Sequence, residues 1–202
     1  MADEDDRISA LPDEIVHQIL CFLPTKHSIQ TSTLSKRWIL LWKFTHSIDF
    51  PDDTTPSEFT FIHNTLTKHQ ALKLHNFRLH FSDGSTWYHE LGLQLQRCIE
   101  FAISRQVQTL SVFADPVAAF ADHYFGYKSE VEFIKHLLQK ALVLETLSLT
   151  YHRLELSPEY YAYGGRSHSR PTELVQQEIF NMPRASSLVH ILFRHTYHKF
   201  GT

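Results

Sequence analysis

Beyond about residue 59 the sequence changes period again and again, and that alternation constrains the fold more than any other feature. "NFRLHF" (Asn76 to Phe81) alternates Phe77, Leu79 and Phe81, the pattern of a half-buried strand. "VQTLSV" (Val107 to Val112), "LETLSL" (Leu144 to Leu149) and "SLVHILF" (Ser187 to Phe193) repeat it. A segment of helical spacing precedes each one. Phe59, Ile62 and Leu66 form the first, and Leu91, Leu95, Cys98, Ile99, Ala102 and Ile103 the second. Val131, Ile134 and Leu138 mark the third, with Ser129 and Glu132 as a capping box before it. "ELVQQEIF" is the fourth, opened by Pro171-Thr172 and closed by Pro183. A lone helix-strand unit cannot bury its apolar face, so neighbours must stack. Strand centres fall at spacings of roughly 31, 37 and 44 residues, within the range of repeat architectures. An α/β domain whose alternation only looks periodic is the alternative. The class is α/β in both cases.

The first fifty residues are different. Pro12 fits the first helical position, and Asp13 and Glu14 complement the positive end of the helix dipole. Ile15, Val16, Ile19, Leu20, Phe22 and Leu23 then cover an arc of roughly 160° at about 100° per residue. A surface helix needs only about 100° of apolar stripe. Pro24 stops this helix, "TKHS" reads as a turn, and Ile29 to Thr33 as a short second helix. Ser35 can cap a third, "KRWILLWKF", on which Trp38, Leu41 and Trp42 share a face in line with Leu34. About forty residues is close to the lower limit for folding without a disulfide, metal or partner. The surplus apolar surface predicts an interface, with another chain or with the rest of this one. "SIDFPDDTTPSE" reads as a proline- and acid-rich linker, which places a boundary near residue 52.

Composition narrows the function. The chain has 202 residues, 43% hydrophobic and 20% charged, with a formal net charge of -3. That balance is globular and argues against nucleic acid as the main partner. Three short helices ending in a Lys-Arg pair also suggest a helical nucleic-acid binder. However, the first fifty residues carry more acid than base, and the tryptophan face is apolar. No apolar run approaches the ~18 residues of a membrane span, and "MADEDDRISA" has no apolar core of a secretory signal. Cys21 and Cys98 lack zinc-ligand spacing and read as reduced thiols of a cytoplasmic or nuclear protein. The 15 histidines are scattered. His63, His69 and His75 recur every six residues, His195 and His198 form a lone HxxH, and His89 lacks the second histidine of a zincin helix. The expectation is no metal and no cofactor. With no GxSxG elbow, P-loop or GxGxxG, it is also no enzyme.

The stretch "DRISALPDEIVHQILCFLPTKHSIQTSTLSKRWILLW" closely resembles the F-box of plant F-box proteins. The match is carried by "DRIS", "LPDEI", "ILCFLPTK" and "TSTLSKRW…LW". The resemblance implies docking on a Skp-family adaptor, and through it on the cullin and RING subunits of an SCF-type ubiquitin ligase. Carried over by position, Leu11 and Pro12 make the first contact. Ile15, Ile19, Leu20 and Leu23 supply the face of the first helix. Pro24, Leu34, Ser35, Trp38, Leu41 and Trp42 shape the remaining surface. Ile39 stands where the family more often has a basic or polar residue.

"VQTLSV" and "LETLSL" fit the LxxLxL strand of a leucine-rich repeat, and "CIEFAISRQVQTLSVF" resembles the segment that opens the repeats in the same family. "VEFIKHLLQKALVLETLSL" with "ELVQQEIFNMPRASSLVHILF" is similar to the FBD module, most specifically in "MPRASS" (Met182 to Ser187). The expected order is an F-box at 1–52, a short repeat-like region at 53–128 and an FBD-like module at 129–202. The family usually has several more repeats between the last two. The resemblance thus implies a shortened, non-catalytic ligase subunit that presents an unknown protein client with reduced capacity. A non-ligase α/β interaction module is the alternative. Two long aromatic-bearing loops, Ala114 to Lys128 and Ser157 to Pro171, read as mobile connections. The alternative for the second is a binding lip at Tyr160, Tyr161 and Tyr163.

Overall fold

Each period-two segment becomes a strand, and all the strands run the same way. The computed structural model describes residues 8, 10–51, 56–82, 88–115, 128–154 and 172–198. Three short helices come first: α1 (Asp13–Phe22), α2 (Thr25–Gln30) and α3 (Lys36–Leu41), with single 3-10 turns at Thr31–Thr33 and Trp42–Phe44. Then strand and helix alternate. The order is β1 (Ser47–Phe50), α4 (Pro56–Lys68), β2 (Asn76–Ser82), α5 (Tyr88–Ser104), β3 (Thr109–Asp115), α6 (Lys128–Lys140), β4 (Thr146–Leu154), α7 (Thr172–Phe180) and β5 (His190–His198). The five strands form one parallel sheet in the order β1-β2-β3-β4-β5.

The register explains why the sequence alternates. Ile48, Phe77, Leu110, Leu147 and Ile191 lie side by side across the sheet, one per strand. All five are buried, together with Phe50, Leu79, Val112 and Leu149 two residues further along. Ile62 and Leu66 of α4, Cys98 and Ile99 of α5, Ile134 and Leu138 of α6, and Val175 and Ile179 of α7 join the same core. The helices therefore cover one face of the sheet. The opposite face carries the intervening row Asp49, Arg78, Ser111, Ser148 and Leu192. Parallel sheets buried on both faces read as continuous apolar runs. A sheet with helices on one face keeps the polar alternation that the sequence displays.

The turns before the strands extend the ladder. Asn76 N–H donates to the His46 carbonyl (3.3 Å), Thr109 N–H to His75 (2.8 Å), Thr146 N–H to Gln108 (3.0 Å) and His190 N–H to Glu145 (2.8 Å). Gln106 closes α5 at a φ of 52°, in the left-handed region that favours glycine. Its conformation lets Val107 N–H reach the Ala102 carbonyl at 3.2 Å, which satisfies the helix end.

The structure corrects several expectations. Pro12 sits at the N-cap of α1 rather than at its first helical position, with extended ψ of 152°. "TKHS" is the start of α2, not a turn, because its polar side chains bond inward. Ser28 Oγ donates to the Leu20 carbonyl at 2.9 Å, and the Thr25 hydroxyl oxygen accepts from Asp49 N–H at 2.8 Å. "SIDF" is strand β1 and not part of a linker, since Ile48 and Phe50 find the core face. Ser129 falls inside α6, so it does not cap that helix. Ser35 does stand at the N-cap of α3, in extended conformation but without a side-chain capping bond. The long loops, including Tyr160, Tyr161 and Tyr163, lie almost wholly outside the described residues.

Candidate docking surface

The opening helices have a small core of their own. Val16 and Leu20 of α1 pack with Trp38, Leu41 and Trp42, and Leu11, Leu23 and Ile29 lie partly buried against them. The broad apolar arc of α1 thus splits in two. Val16 and Leu20 point inward, while Ile15 and Ile19 remain about two fifths exposed (41% and 39%) and Phe22 is 88% exposed. The same split occurs around α3, where Leu34, Ile39 and Leu40 are exposed, followed by Phe44. Leaving a large apolar side chain in water forfeits about 1.5–3 kcal/mol relative to burying it. Scattered exposed apolar residues need no explanation, whereas here they concentrate on two neighbouring short helices.

The residues expected to form the docking site do not all reach the surface. Pro12, Ile15, Ile19 and Leu34 are exposed, and Leu11, Leu23, Pro24 and Ser35 are half-buried. Leu20, Trp38, Leu41 and Trp42 are buried in the core of the helical unit and support the surface from beneath. The resemblance, carried over by position, put both tryptophans on the docking surface. A unit this small needs its two largest side chains for its own core. Phe22, Ile39, Leu40 and Phe44 are exposed residues that the expected site omits. Phe22 carried a signal in the over-wide arc of α1, and Ile39 and Leu40 in flanking the tryptophan face; Phe44 carried none.

Polar bonds hold the unit together and tie it to the sheet. Arg37 of α3 reaches back to the start of α1, where its Nε donates to Asp13 Oδ1 and its Nη2 to the Leu11 carbonyl, both at 2.5 Å. At the seam with the sheet, Thr25 meets Asp49 on the outer side of β1, covering an edge strand that would otherwise offer its unpaired N–H groups. Gln70 and Ala71 N–H donate to the Lys43 carbonyl at 2.7 and 3.2 Å. His69, buried at the end of α4, bonds through Nε2 to the Thr45 carbonyl at 2.9 Å. Burial first, then Arg105 and His46, lower its pKa to about 4 against the opposing effect of that bond. The His46 ring stacks on His75 with centroids 5.1 Å apart. Its pKa is lowered by burial and by the neighbouring His75 and His17.

Elsewhere the chemistry is sparse. A groove of about 220 Å³ runs between α4 and α5, lined by Phe59, Ile62, His63, Leu66, Thr67, Gln94, Arg97, Cys98 and Phe101. Cys98 there is a buried free thiol whose pKa burial pushes up to about 12, so it is a poor nucleophile at neutral pH. Among the described residues no group of three or more His, Cys, Asp or Glu side chains could hold a metal ion. Among them also, no helix is long and apolar enough to cross a membrane.

Small helices with a shared core and an apolar exterior, fused to the edge of a sheet, match a known class. Residues 8–46 match the F-box domain family. The chain is 41% identical over 110 residues to an F-box/LRR-repeat protein of Arabidopsis thaliana, covering 54% of this chain and 22% of that protein. It is 36% identical over 114 residues to an FBD-associated F-box protein of the same plant (54% and 27% covered), and 32% identical over 135 residues to another (62% and 32% covered). These matches support a plant F-box protein of the F-box/LRR/FBD kind. It spans about a fifth to a third of the length of these curated relatives. No solved structure matches it.

Proposed function

We propose that this chain is a non-catalytic subunit of an SCF-type ubiquitin ligase, docking through its F-box on a Skp-family adaptor in the cytoplasm or nucleus. F-box domains in general bind such adaptors, and the cullin and RING subunits follow through them. One observation carries the reading. The F-box completes its own core with Val16, Leu20, Trp38, Leu41 and Trp42, yet leaves Ile15, Ile19, Phe22, Leu34, Ile39 and Leu40 outside. The docking site is accordingly Pro12, Ile15, Ile19 and Leu34, bordered by Leu11, Leu23, Pro24 and Ser35 and supported by the four buried residues of the expected set.

The rest of the chain presents the client. The parallel, sequentially ordered sheet with helices on one face supports a short leucine-rich-repeat-like array at 53–128, joined by β1, and an FBD-like module at 129–202. A ligase subunit of this kind does no bond chemistry. It contributes proximity, holding a client where the transfer partners can reach it. With few repeats the platform is small, and client capacity is reduced.

The test is co-elution with a recombinant Skp-type adaptor on size exclusion. Wild type should form a one-to-one complex, and Ile15→Glu with Ile19→Glu should abolish it without loss of helical circular dichroism. Unchanged complex formation by the double variant overturns the docking surface. Absence of any wild-type complex favours an interaction module outside the ligase system.

A further inference from the structure

We infer that Arg37 is a positioning residue that holds Leu11 and Pro12 in the conformation the adaptor binds, an inference that rests on the docking function proposed above. Leu11 and Pro12, just before α1, belong to no helix or strand. Pro12 is extended, with ψ of 152°, and Leu11 N–H makes one turn bond, to the Ile8 carbonyl at 3.2 Å. Yet Pro12 must be presented, since its carbonyl starts α1 by accepting from Ile15 and Val16 N–H, each at 3.1 Å. Arg37 fixes this junction from α3, far along the chain. One edge of its guanidinium holds the Asp13 carboxylate and another N–H holds the Leu11 carbonyl, so both sides of Pro12 are pinned by one rigid group. A planar fork with several donors can do this, whereas the single ammonium of lysine cannot hold both partners in fixed geometry.

The clamp acts on binding rather than on overall stability. The side chains of Arg37 and Asp13 are 33% and 55% exposed, where water competes for the same bonds. Its contribution lies in order already present before the partner arrives. A freed Leu11-Pro12 junction would have to be ordered during docking, and that cost subtracts from affinity. Releasing roughly one residue's backbone corresponds to about a ten-fold loss.

The test compares full-length wild type with Arg37→Ala, Arg37→Lys and Asp13→Asn. It reads affinity for a recombinant Skp-type adaptor, thermal midpoint, and amide hydrogen exchange of the free chain. Arg37→Ala should bind about ten-fold more weakly. The amides of Leu11, Ile15 and Val16 should exchange faster while that of buried Leu20 does not. Arg37→Lys should recover only part of the affinity, and Asp13→Asn, which keeps the bond to the Leu11 carbonyl, should lose less than Arg37→Ala. Arg37→Ala affinity within two-fold of wild type overturns the clamp and leaves docking intact. Faster exchange at Leu20 to the same degree also overturns it, since the residue would then be merely structural. No complex with wild type overturns the docking function itself.

Discussion

The helical unit and the sheet unit solve the same burial problem with opposite success. In the sheet unit, the described helices α4 to α7 lie over one face of the five-stranded sheet, and a single core runs from Ile48 in β1 to Ile191 in β5. Its exposed apolar residues are spread along the unit: Leu72, the pair Leu142 and Val143, and Leu188 lie in turns before strands, Leu174 and Phe180 on α7, and Leu192 on β5. The F-box has five buried core residues, and its remaining apolar side chains gather on α1 and around α3. Stacked units bury one another's faces, so the strands and helices of the sheet unit share one core. The F-box packs on β1 and, through Lys43, Thr45 and His46, on the segment between α4 and β2, and still faces water with an apolar exterior. The difference is between a broad core shared by many elements and a small core that leaves an apolar exterior.

The strongest way to break that comparison is Trp38→Ala. Removing a buried tryptophan costs about 3–5 kcal/mol, most of what a five-residue core can supply. The F-box should unfold first in urea, leaving the transition of the sheet nearly in place. Saturating adaptor at ~100-fold over Kd should restore about 2.7 kcal/mol. A single transition that shifts as a whole would show that the two units share one cooperative core.

A slightly smaller effect should come from pH, because the seam between the units is lined with histidine. His69 has its pKa lowered to about 4, so the folded state prefers the neutral ring. Its Nδ1 is buried without a hydrogen-bond partner, and a proton there would face Arg105 and His46. Between about 6.5 and about 4 the unfolded chain binds the extra proton and the folded chain does not. Stability is therefore full above the ordinary histidine range and falls as pH drops through this window, by on the order of 3 kcal/mol. His46, crowded by His75 and His17, adds a shift of the same sign. Urea midpoints at pH 7.5 and pH 5 should differ accordingly, and His69→Gln should flatten most of the difference. An unchanged slope in His69→Gln would place the titrating groups elsewhere.

Thr25→Val sharpens the comparison at one bond. The change keeps the shape but removes the oxygen that accepts Asp49 N–H, leaving an edge amide without its partner. The expected cost is about 1–2 kcal/mol. Hydrogen exchange at Asp49 should accelerate well before exchange at Phe77 on the next strand. Equal acceleration at both would mean that the F-box supports the entire sheet rather than its edge.

How far the sequence revealed this depended on whether a feature left a periodic trace. Phe77 and Leu79, Leu110 and Val112, and Leu147 and Leu149 alternate because one face of the sheet is covered, so their strands could be read directly. β1 has four residues and stops beside Pro51, too short to show a period, so it read as linker. α2 begins at Thr25 rather than at the expected Ile29, because Thr25 and Ser28 are buried for their hydroxyls, which hydropathy scores as turn-like. The F-box helices were legible as an excess of apolar arc, but an arc does not say which half turns inward. Trp38 and Trp42 went to the core, and Phe22 stayed out. The reach of Arg37 to Leu11 and Asp13 links residues more than twenty positions apart, and no local pattern announces it.

The smallest expected effect lies on the open face of the sheet, where a second arginine fork invites comparison with the first. Arg78 on β2 grips Asp49 on β1 through Nε (2.6 Å) and Nη2 (2.5 Å), and this bond raises the arginine's pKa further. The geometry is the bidentate one that favours Arg over Lys. However, Arg78 is 49% exposed, and the two strands are already joined by their backbone ladder and by Ile48 and Phe77 beneath. The pair orders nothing that is not ordered without it. Arg78→Gln should therefore cost about 0.5–1 kcal/mol at low salt and less at high salt, as screening weakens the wild-type pair. It should leave adaptor affinity unchanged, where Arg37→Ala should not. If Arg78→Gln weakened adaptor binding as much, the contrast between a fork that presents a surface and a fork that decorates one would be lost.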